Sequence, residues 1–442
     1  MFHRVPVLAC SAALSLSPVQ VHADVFSLWG AGATGVAEAG ARSAIASDGT
    51  AVHHNPAGLA FGQGEDAEVG MLLTTSRLRA ANRPVDLDQR MGIVGSTSFS
   101  PTLLYSLSLR IGFLFHTPSG AMLRVRTREA HAPQFPYYDN RSQRLVAVPG
   151  LGLRPVRWLG LGASLDALAG LTGTARLRPG PRGASEPAVN QQVYPSLRPS
   201  FGFRFDPYPR WHLAAMYRGA FAVNLETRTE ATVAGVPLEA QVRQAHALYD
   251  PASLVLGAAW TPTRRLSVEL DVGYHRWSRY QGPLLQARAE LPGVRAEPSA
   301  RLPSFRDTTS ARLGGSTRVL GGAHQLRVRG GFGVESSMLG NERQGQTNLV
   351  DGARLVVAGG LSYEQPEALL GGMLVATLGV QLHHLPERSW AKVACQAAPC
   401  PADTTVGPEA SAPSEGITDP GYPTLRGGGQ VLAGVVSLGG RW

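Results

Sequence analysis

Whole segments of this chain put charged residues on one face and apolar residues on the other, at a period of two. In Leu266-Ser267-Val268-Glu269-Leu270-Asp271-Val272-Gly273-Tyr274-His275 the apolar set is 266, 268, 270, 272 and 274. The opposite face carries Ser267, Glu269, Asp271 and His275, and Gln325 to Glu335 separates its faces just as sharply. A period of two is a strand. Carboxylates would be ruinous in the core of a soluble sandwich, but they suit a strand with lipid on one side and a wet or plugged lumen on the other. The last strand is built the same way. Counting back in twos from Trp442 gives Gly440, Leu438, Val436, Gly434 and Leu432, while Arg441, Gly439, Ser437, Val435 and Ala433 are small or polar.

Period-two segments recur near 66–78, 90–107, 108–117, 140–155, 157–177, 194–206, 210–229, 241–261, 266–281, 307–320, 323–336, 353–364, 370–385 and 427–441. Arg154-Pro155-Val156-Arg157, Asp206-Pro207-Tyr208-Pro209, Thr261-Pro262-Thr263-Arg264 and Leu320-Gly321-Gly322 read as tight turns. Long polar stretches fall between them at 118–139, 178–193, 282–306, 337–352 and 386–426. Short and long connections alternate, as in a barrel with both termini in the periplasm. The expected fold is therefore all-β: a transmembrane antiparallel up-and-down β-barrel of about 14 strands. Composition agrees, with 17% charged residues and 52 glycines. No apolar run approaches the ~18–20 residues of a spanning helix, and the longest, Leu369 to Leu382, is interrupted by glycines.

Residues 1–23 read as a secretory signal: Arg4, an apolar run from Val5 to Leu16, and Val21-His22-Ala23 before the cleavage point. Lipoprotein processing at Cys10 is the rival, with too short an apolar segment ahead of it. Cys395 and Cys400 then remain, close together in an exported Pro/Ala-rich segment, and form a candidate disulfide. No metal or cofactor is expected. His383-His384 reads as an interfacial pair at a strand end. The formal charge of +9 is almost all arginine, with Lys392 the sole lysine. These arginines are scattered singly, without a basic run interleaved with aromatics, so nucleic acid is not an expected partner. Lumenal positions, or contact with anionic lipid headgroups, account for them better.

Residues 24–62 precede the first strand and are too polar and glycine-rich to face lipid, leaving 63–442 for the barrel. Val36 to Ile45 reads as a short alanine-rich helix. Gly30-x-Gly32-x-x-Gly35 matches a dinucleotide fingerprint but lacks the βαβ unit and the acidic residue about twenty positions on. The run Gly40 to Ala60, with Ala46-x-Asp48 followed by Asn55-Pro56-Ala57-Gly58-Leu59, resembles the N-terminal hatch of the FadL/TodX family. These are outer-membrane transporters of long-chain fatty acids and other hydrophobic compounds. Trp277-Ser278-x-Tyr280, Phe305-Arg306-Asp307 followed by Arg312-Leu313-Gly314, and Pro118-Ser119-Gly120 after Phe113-Leu114-Phe115 are similar to further family segments, in order along the chain. The family's usual terminal Phe is Trp442 here, and the last loop is longer than the family's.

The resemblance implies a small helical hatch plugging the lumen, an apolar pocket above it, and lateral release through a gap beside a kinked third strand. It carries over Asn55, Pro56 and Ala57 as the hatch motif near that gap. Gly112, Pro118 and Gly120 are candidates for strand irregularity, a plain loop start being the alternative for the last two. Asp48 either ties the hatch to a wall arginine or caps a turn. Phe135, Tyr137 and Tyr138 form either an apolar landing surface or an interfacial girdle. Arg327 and Arg329 either meet a carboxylate head group or pair with Glu335 or Glu269. The implied partners are a hydrophobic or fatty-acid substrate, outer-membrane lipid and lipopolysaccharide, and the barrel-assembly machinery through the C-terminal strand; a monomer is implied. A general porin and an outer-membrane lipid hydrolase are the rival classes. No nucleophile context accompanies His116, His246, His275 or His324, so no enzyme is expected.

Overall fold

In the computed structural model the first and last strands pair antiparallel, from Asp66 opposite Arg441 to Ala80 opposite Gly427, so the sheet closes on itself. The structure describes residues 25–85, 91–101, 108–120, 132–139, 141, 144–179, 185–233, 236–283, 285–291, 294–295, 304–322, 324–340, 343–344, 348–369, 371–393 and 424–442. The wall has 14 strands, as expected. They are β1 Asp66–Ala80, β2 Met91–Phe99, β3 Leu109–Pro118, β4 Val146–Val156, β5 Leu159–Pro179, β6 Ser185–Tyr208 and β7 Trp211–Arg218. The second half comprises β8 Ser253–Trp260, β9 Leu266–His275, β10 Thr308–Leu320, β11 Gln325–Glu335, β12 Arg354–Leu369, β13 Gly372–Val393 and β14 Thr424–Arg441.

Several connections expected as loops carry strand: β13 runs on to Val393, paired with β14 as far as Ala391 opposite Thr424, and Leu285–Leu291 pairs with Val236–Asp250. Residues 178–193, expected as a loop, largely continue the ladder, since β5 and β6 stay paired up to Pro179 opposite Ser185. Segments 210–229 and 241–261 each divide: β7 and β8 are wall, and Phe221–Val233 with Val236–Asp250 form a separate hairpin. That hairpin runs alongside the far end of β5, with Gly173 opposite Thr227. Beyond the membrane a ladder needs hydrogen bonds but no lipid–lumen alternation, so pairing persists where the period-two signal fades.

Outward-facing Val69, Met71, Leu73, Leu254, Leu256, Leu432, Val436 and Leu438 are 39–55% exposed. Such a belt is a lipid surface. Trp158, Tyr208, Trp211, Trp260 and Trp442 stand at the rim of short turns, where Asp66 and Arg441 also lie. Trp211 and Trp260 stack with ring centroids 6.1 Å apart. An aromatic girdle at one rim of an apolar belt anchors a wall in the interface. This is the architecture of an outer-membrane barrel.

Inside the cylinder lie α1 Val25–Trp29, α2 Gly32–Ala37, α3 Ala51–His54 and a 3-10 turn, Pro56–Phe61. These elements form a hatch that plugs the lumen. Its small residues let backbone approach backbone: a Cβ at Gly379 of β13 would strike the carbonyl of Ala33, and one at Gly162 of β5 the amide of Ala57. The helix expected over 36–45 is displaced. α2 ends at Ala37, and Ala39 (φ 54°) and Gly40 (φ 79°) turn the chain into the left-handed region. The amides of Arg42, Ser43 and Ala44 then bond wall carboxylates.

Candidate functional site

The wall holds the hatch through the lumenal face of β9. Buried Asp271 accepts from the Arg42 and Ser43 amides at 3.1 and 3.2 Å and from Ser43 Oγ at 2.5 Å. Glu269 accepts from the Ala44 amide at 2.5 Å. These two carboxylates are the residues whose alternation defined the strand in the sequence. Their role as a latch was not legible there, because nothing in the alternation says which lumenal charge meets the hatch.

Asn55 is the second tie. Its Nδ2 donates to Ser43 O at 2.9 Å and to Phe203 O of β6 at 3.0 Å, while Oδ1 accepts from Ala57 N at 3.1 Å. One side chain thus caps the 3-10 turn, which Pro56 opens, and pins it to the wall. The motif seats against β4, β5 and β6: Cβ atoms at Gly152, Gly162 and Gly202 would meet Pro56, Ala57 and Asn55.

A charged cluster forms the third tie. Arg42 pairs with Glu38 at 2.9 Å and with Asp48 at 3.4 Å, and Glu38 also receives Arg329 of β11 at 2.6 Å. The hatch–wall ion pair therefore runs through Glu38. Asp48 bonds within the hatch, accepting from the Thr50 amide at 3.0 Å. Burial pushes the Asp48 carboxyl up, but the Arg42 guanidinium and the Thr50 hydroxyl outweigh it and bring it from 3.8 down to about 2. A depressed carboxylate stabilises the fold above its free-chain value and loses that contribution as pH falls through the folded one. Hatch retention should thus be insensitive to this pair from pH 7 down to about 4 and weaken between 4 and 2. Single-channel recordings across that window, with Asp48→Asn lacking this acid-dependent component, check it.

A second closure lies above the hatch. Phe135, Tyr137 and Tyr138 are 0, 3 and 2% exposed. They are neither a landing surface nor a girdle. The loop dips inward, bridged by Gln134 to Leu349 of another loop. Tyr138 stacks on Trp29 of the hatch (6.2 Å between centroids), and its hydroxyl lies 3.0 Å from His383 Nδ1, whose ring is 4.5 Å from Trp29. His383 therefore faces the lumen and is no interfacial residue. Tyr137 donates to Glu335 at 2.9 Å under the Arg354 guanidinium, 3.2 Å from its centroid. Trp277, Tyr280, Tyr249 and Phe305 continue the aromatic layer.

Between the two closures is a cavity of about 90 Å³. It is not the apolar pocket the resemblance implied. Phe26, Met216, Val255 and Trp277 share its lining with Arg141, Arg312, Asp271 and Glu335. Beside it Asp250 links Arg141 to Arg198, and Arg198 also pairs with Asp166. Arg327 pairs with Glu364 at 3.6 Å, so neither Arg327 nor Arg329 reaches Glu335 or Glu269. Glu335 instead faces Arg354 and Arg312 at 3.7 and 3.8 Å. Their partners lie on neighbouring strands or on the hatch, a proximity that one strand's pattern does not encode.

No family profile matches the sequence, and no curated protein matches it. Solved structures do. A Pseudomonas aeruginosa FadL homologue superposes with a TM-score of 0.56 at 14% identity, over 93% of this chain and 98% of that one. The toluene transporter TodX of Pseudomonas putida gives 0.55 at 17% identity, over 95% and 99%. The toluene transporter TbuX of Ralstonia pickettii gives 0.53 at 15% identity, over 95% and 100%. The chain has the FadL/TodX fold.

Within this FadL/TodX-type barrel the third strand is regular. β3 keeps continuous register with β2 from Gly92–Pro118 to Phe99–Ile111, and with β4 from Leu109–Leu153 to His116–Val146. Gly112 pairs on both sides, so it is no ladder break. Its missing Cβ makes room for Val52 and Leu59 of the hatch, each 2.7 Å from where that atom would stand. Pro118 ends β3 opposite Gly92, and Gly120 (φ 86°) belongs to the following turn. The candidate disulfide Cys395–Cys400 and the signal segment lie outside the described residues.

Proposed function

We propose that this chain is an outer-membrane channel for hydrophobic compounds. A substrate is captured outside, passes into the lumen, displaces the hatch and leaves sideways into the membrane. The observation that carries this reading is a lipid-belted, closed cylinder filled at two levels by its own chain. A porin for polar solutes depends on a standing water column, whereas an apolar solute gains about 0.8 kcal/mol for each methylene taken from water. The fold is shared with proteins described as toluene transporters and with the CymD monoaromatic hydrocarbon channel.

On this reading residues 1–23 direct export, 24–62 are the moving hatch and 63–442 the wall. Asn55, Pro56, Ala57 and Asp48 hold the closed state, and Phe135, Tyr137 and Tyr138 form the outer closure. Phe26, Met216, Val255 and Trp277 receive an apolar body, and Arg141 and Arg312 a polar end such as a carboxylate. The protein works as a monomer, inserted through its C-terminal strand.

Planar-bilayer recording combined with native mass spectrometry tests the proposal. Low, unsteady conductance with a co-purifying apolar molecule is the expected result. A large steady current without such a ligand would identify a general porin, and release of fatty acid from phospholipid vesicles a hydrolase.

A further inference from the structure

The outward faces of β1, β13 and β14 change character at one height. On β1 the exposed register runs Ala67, Val69, Met71, Leu73 and Thr75, then Arg77 and Arg79. Ten residues separate Ala67 from Arg77. At about 3.3 Å per residue and a tilt near 40° they rise roughly 25 Å, the height of a lipid belt. On β14 the apolar register Leu438, Val436 and Leu432 gives way to Gln430 and Arg426. On β13 Leu378 and Val380 give way to His384. The three strands are neighbours in the ring.

Where they meet there is a cleft of about 380 Å³, lined by Arg77, Arg79, Asn82, His384, Glu387 and Arg426 around a floor of Gly427, Gly428 and Gly429. The floor is set by backbone approach: a Cβ at Gly428 would meet Glu387 Cα at 2.7 Å, and one at Gly429 the Arg77 carbonyl. β13 bulges opposite it, between Leu385 and Arg388. Three guanidiniums face one carboxylate there. Glu387 lies 3.4 Å from Arg426, with both side chains more than half exposed. Arg79 bonds only the Asn82 carbonyl, at 3.3 Å, and Arg77 has no carboxylate partner among the described residues. His384 Nδ1 is buried without a hydrogen-bond partner among them.

We propose that this cleft binds the phosphorylated saccharide headgroup of an outer-leaflet glycolipid. Guanidinium forks match phosphate oxygens in pairs, and a cationic cleft at the top of an apolar belt meets a lipid whose acyl chains lie against Leu73, Leu432 and Val380. The site faces lipid, on the opposite side of the wall from the lumen, so it is independent of the transport reading.

The test measures binding of bis-phosphorylated lipid A to the full-length protein in detergent, by native mass spectrometry with lipid titration. Dephosphorylated lipid A and inorganic phosphate serve as separate arms. Wild type should bind one phosphorylated lipid at least tenfold more tightly than the dephosphorylated form, with inorganic phosphate failing to displace it at a hundredfold excess. Arg77→Gln/Arg79→Gln/Arg426→Gln should lose at least tenfold, with heat-modifiable gel mobility showing a folded barrel. Arg264→Gln/Arg265→Gln, at the opposite rim, should leave binding unchanged. Glu387→Gln, which removes the competing carboxylate and keeps every arginine, should tighten binding severalfold and supplies the test if the triple variant does not fold. Equal binding of the two lipid forms, a triple variant that binds like wild type, no tightening in Glu387→Gln, or displacement by free phosphate overturns the proposal.

Discussion

Asp271→Ala should convert a closed barrel into one that opens in long bursts. The carboxylate takes three hydrogen bonds from the hatch, two from backbone amides and one from Ser43 Oγ, all buried. Hydrogen bonds to a charged group contribute about 1.5–3 kcal/mol each. Losing three, even with strong non-additivity, removes on the order of 4 kcal/mol. At 1.4 kcal/mol per decade, that raises the displaced-hatch population about a thousandfold. The Arg42 and Ser43 amides would be left without their acceptor, which favours displacement of this stretch into water. Planar-bilayer recordings and entry of a bulky polar antibiotic into cells read the effect. Asp271→Asn keeps an acceptor and should fall between the two. A folded Asp271→Ala protein with wild-type current traces would mean that this carboxylate does not hold the hatch.

The second large effect is steric and comes with its own control. At Gly202 of β6 a Cβ would overlap Asn55 Oδ1 and stand 2.9 Å from Pro56 Cδ. Gly202→Ala should therefore unseat the 3-10 turn and break the Asn55 bond to Phe203, a loss of roughly 2–3 kcal/mol from overpacking and the broken bond. Asn55→Gly alone should weaken the hatch at least as much, because it deletes the Phe203 bond together with those to Ser43 and Ala57. The combination is the diagnostic case. With the Asn55 side chain gone the severe overlap is relieved and only the tighter contacts with Pro56 Cδ and the Ala57 amide remain, so adding Gly202→Ala to Asn55→Gly should cost clearly less than adding it to wild type. A double-mutant cycle on hatch proteolysis rates measures this coupling. Additive losses would show that Gly202 matters to the wall itself and not to the seat.

The third tie behaves differently from these two, for a reason in its chemistry. Arg329 and Glu38 form an ion pair whose desolvation offsets much of its attraction, so it specifies position more than it adds stability. The aromatic contact of Tyr138 with Trp29 makes the outer closure touch the inner one directly. Displacing one therefore removes packing from the other.

The wall was legible because a strand between lipid and lumen must alternate, residue by residue. Leu266 to His275 and Leu432 to Trp442 show that pattern, and the alternation of short and long connections gave the closed, even-stranded topology. The extended hairpins were not legible, since strands beyond the bilayer pair without alternating. The helix expected over Val36 to Ile45 failed because a local alanine-rich pattern competes with Asp271 and Glu269, which are distant in sequence but adjacent in the barrel.

Sequence alone therefore determined which residues face lipid and which face inward, since that division rests on a period each strand carries by itself. Only the tertiary structure decided what the inward residues do. It turned Phe135, Tyr137 and Tyr138 from loop aromatics into a second plug, and gave Arg329 to Glu38 and not to Glu335. It made Gly112 a seat for Val52 and Leu59 where a kink was expected. Those outcomes depend on which strands and loops close around one lumen, and contacts across a ring are a property of the closed chain, not of any segment.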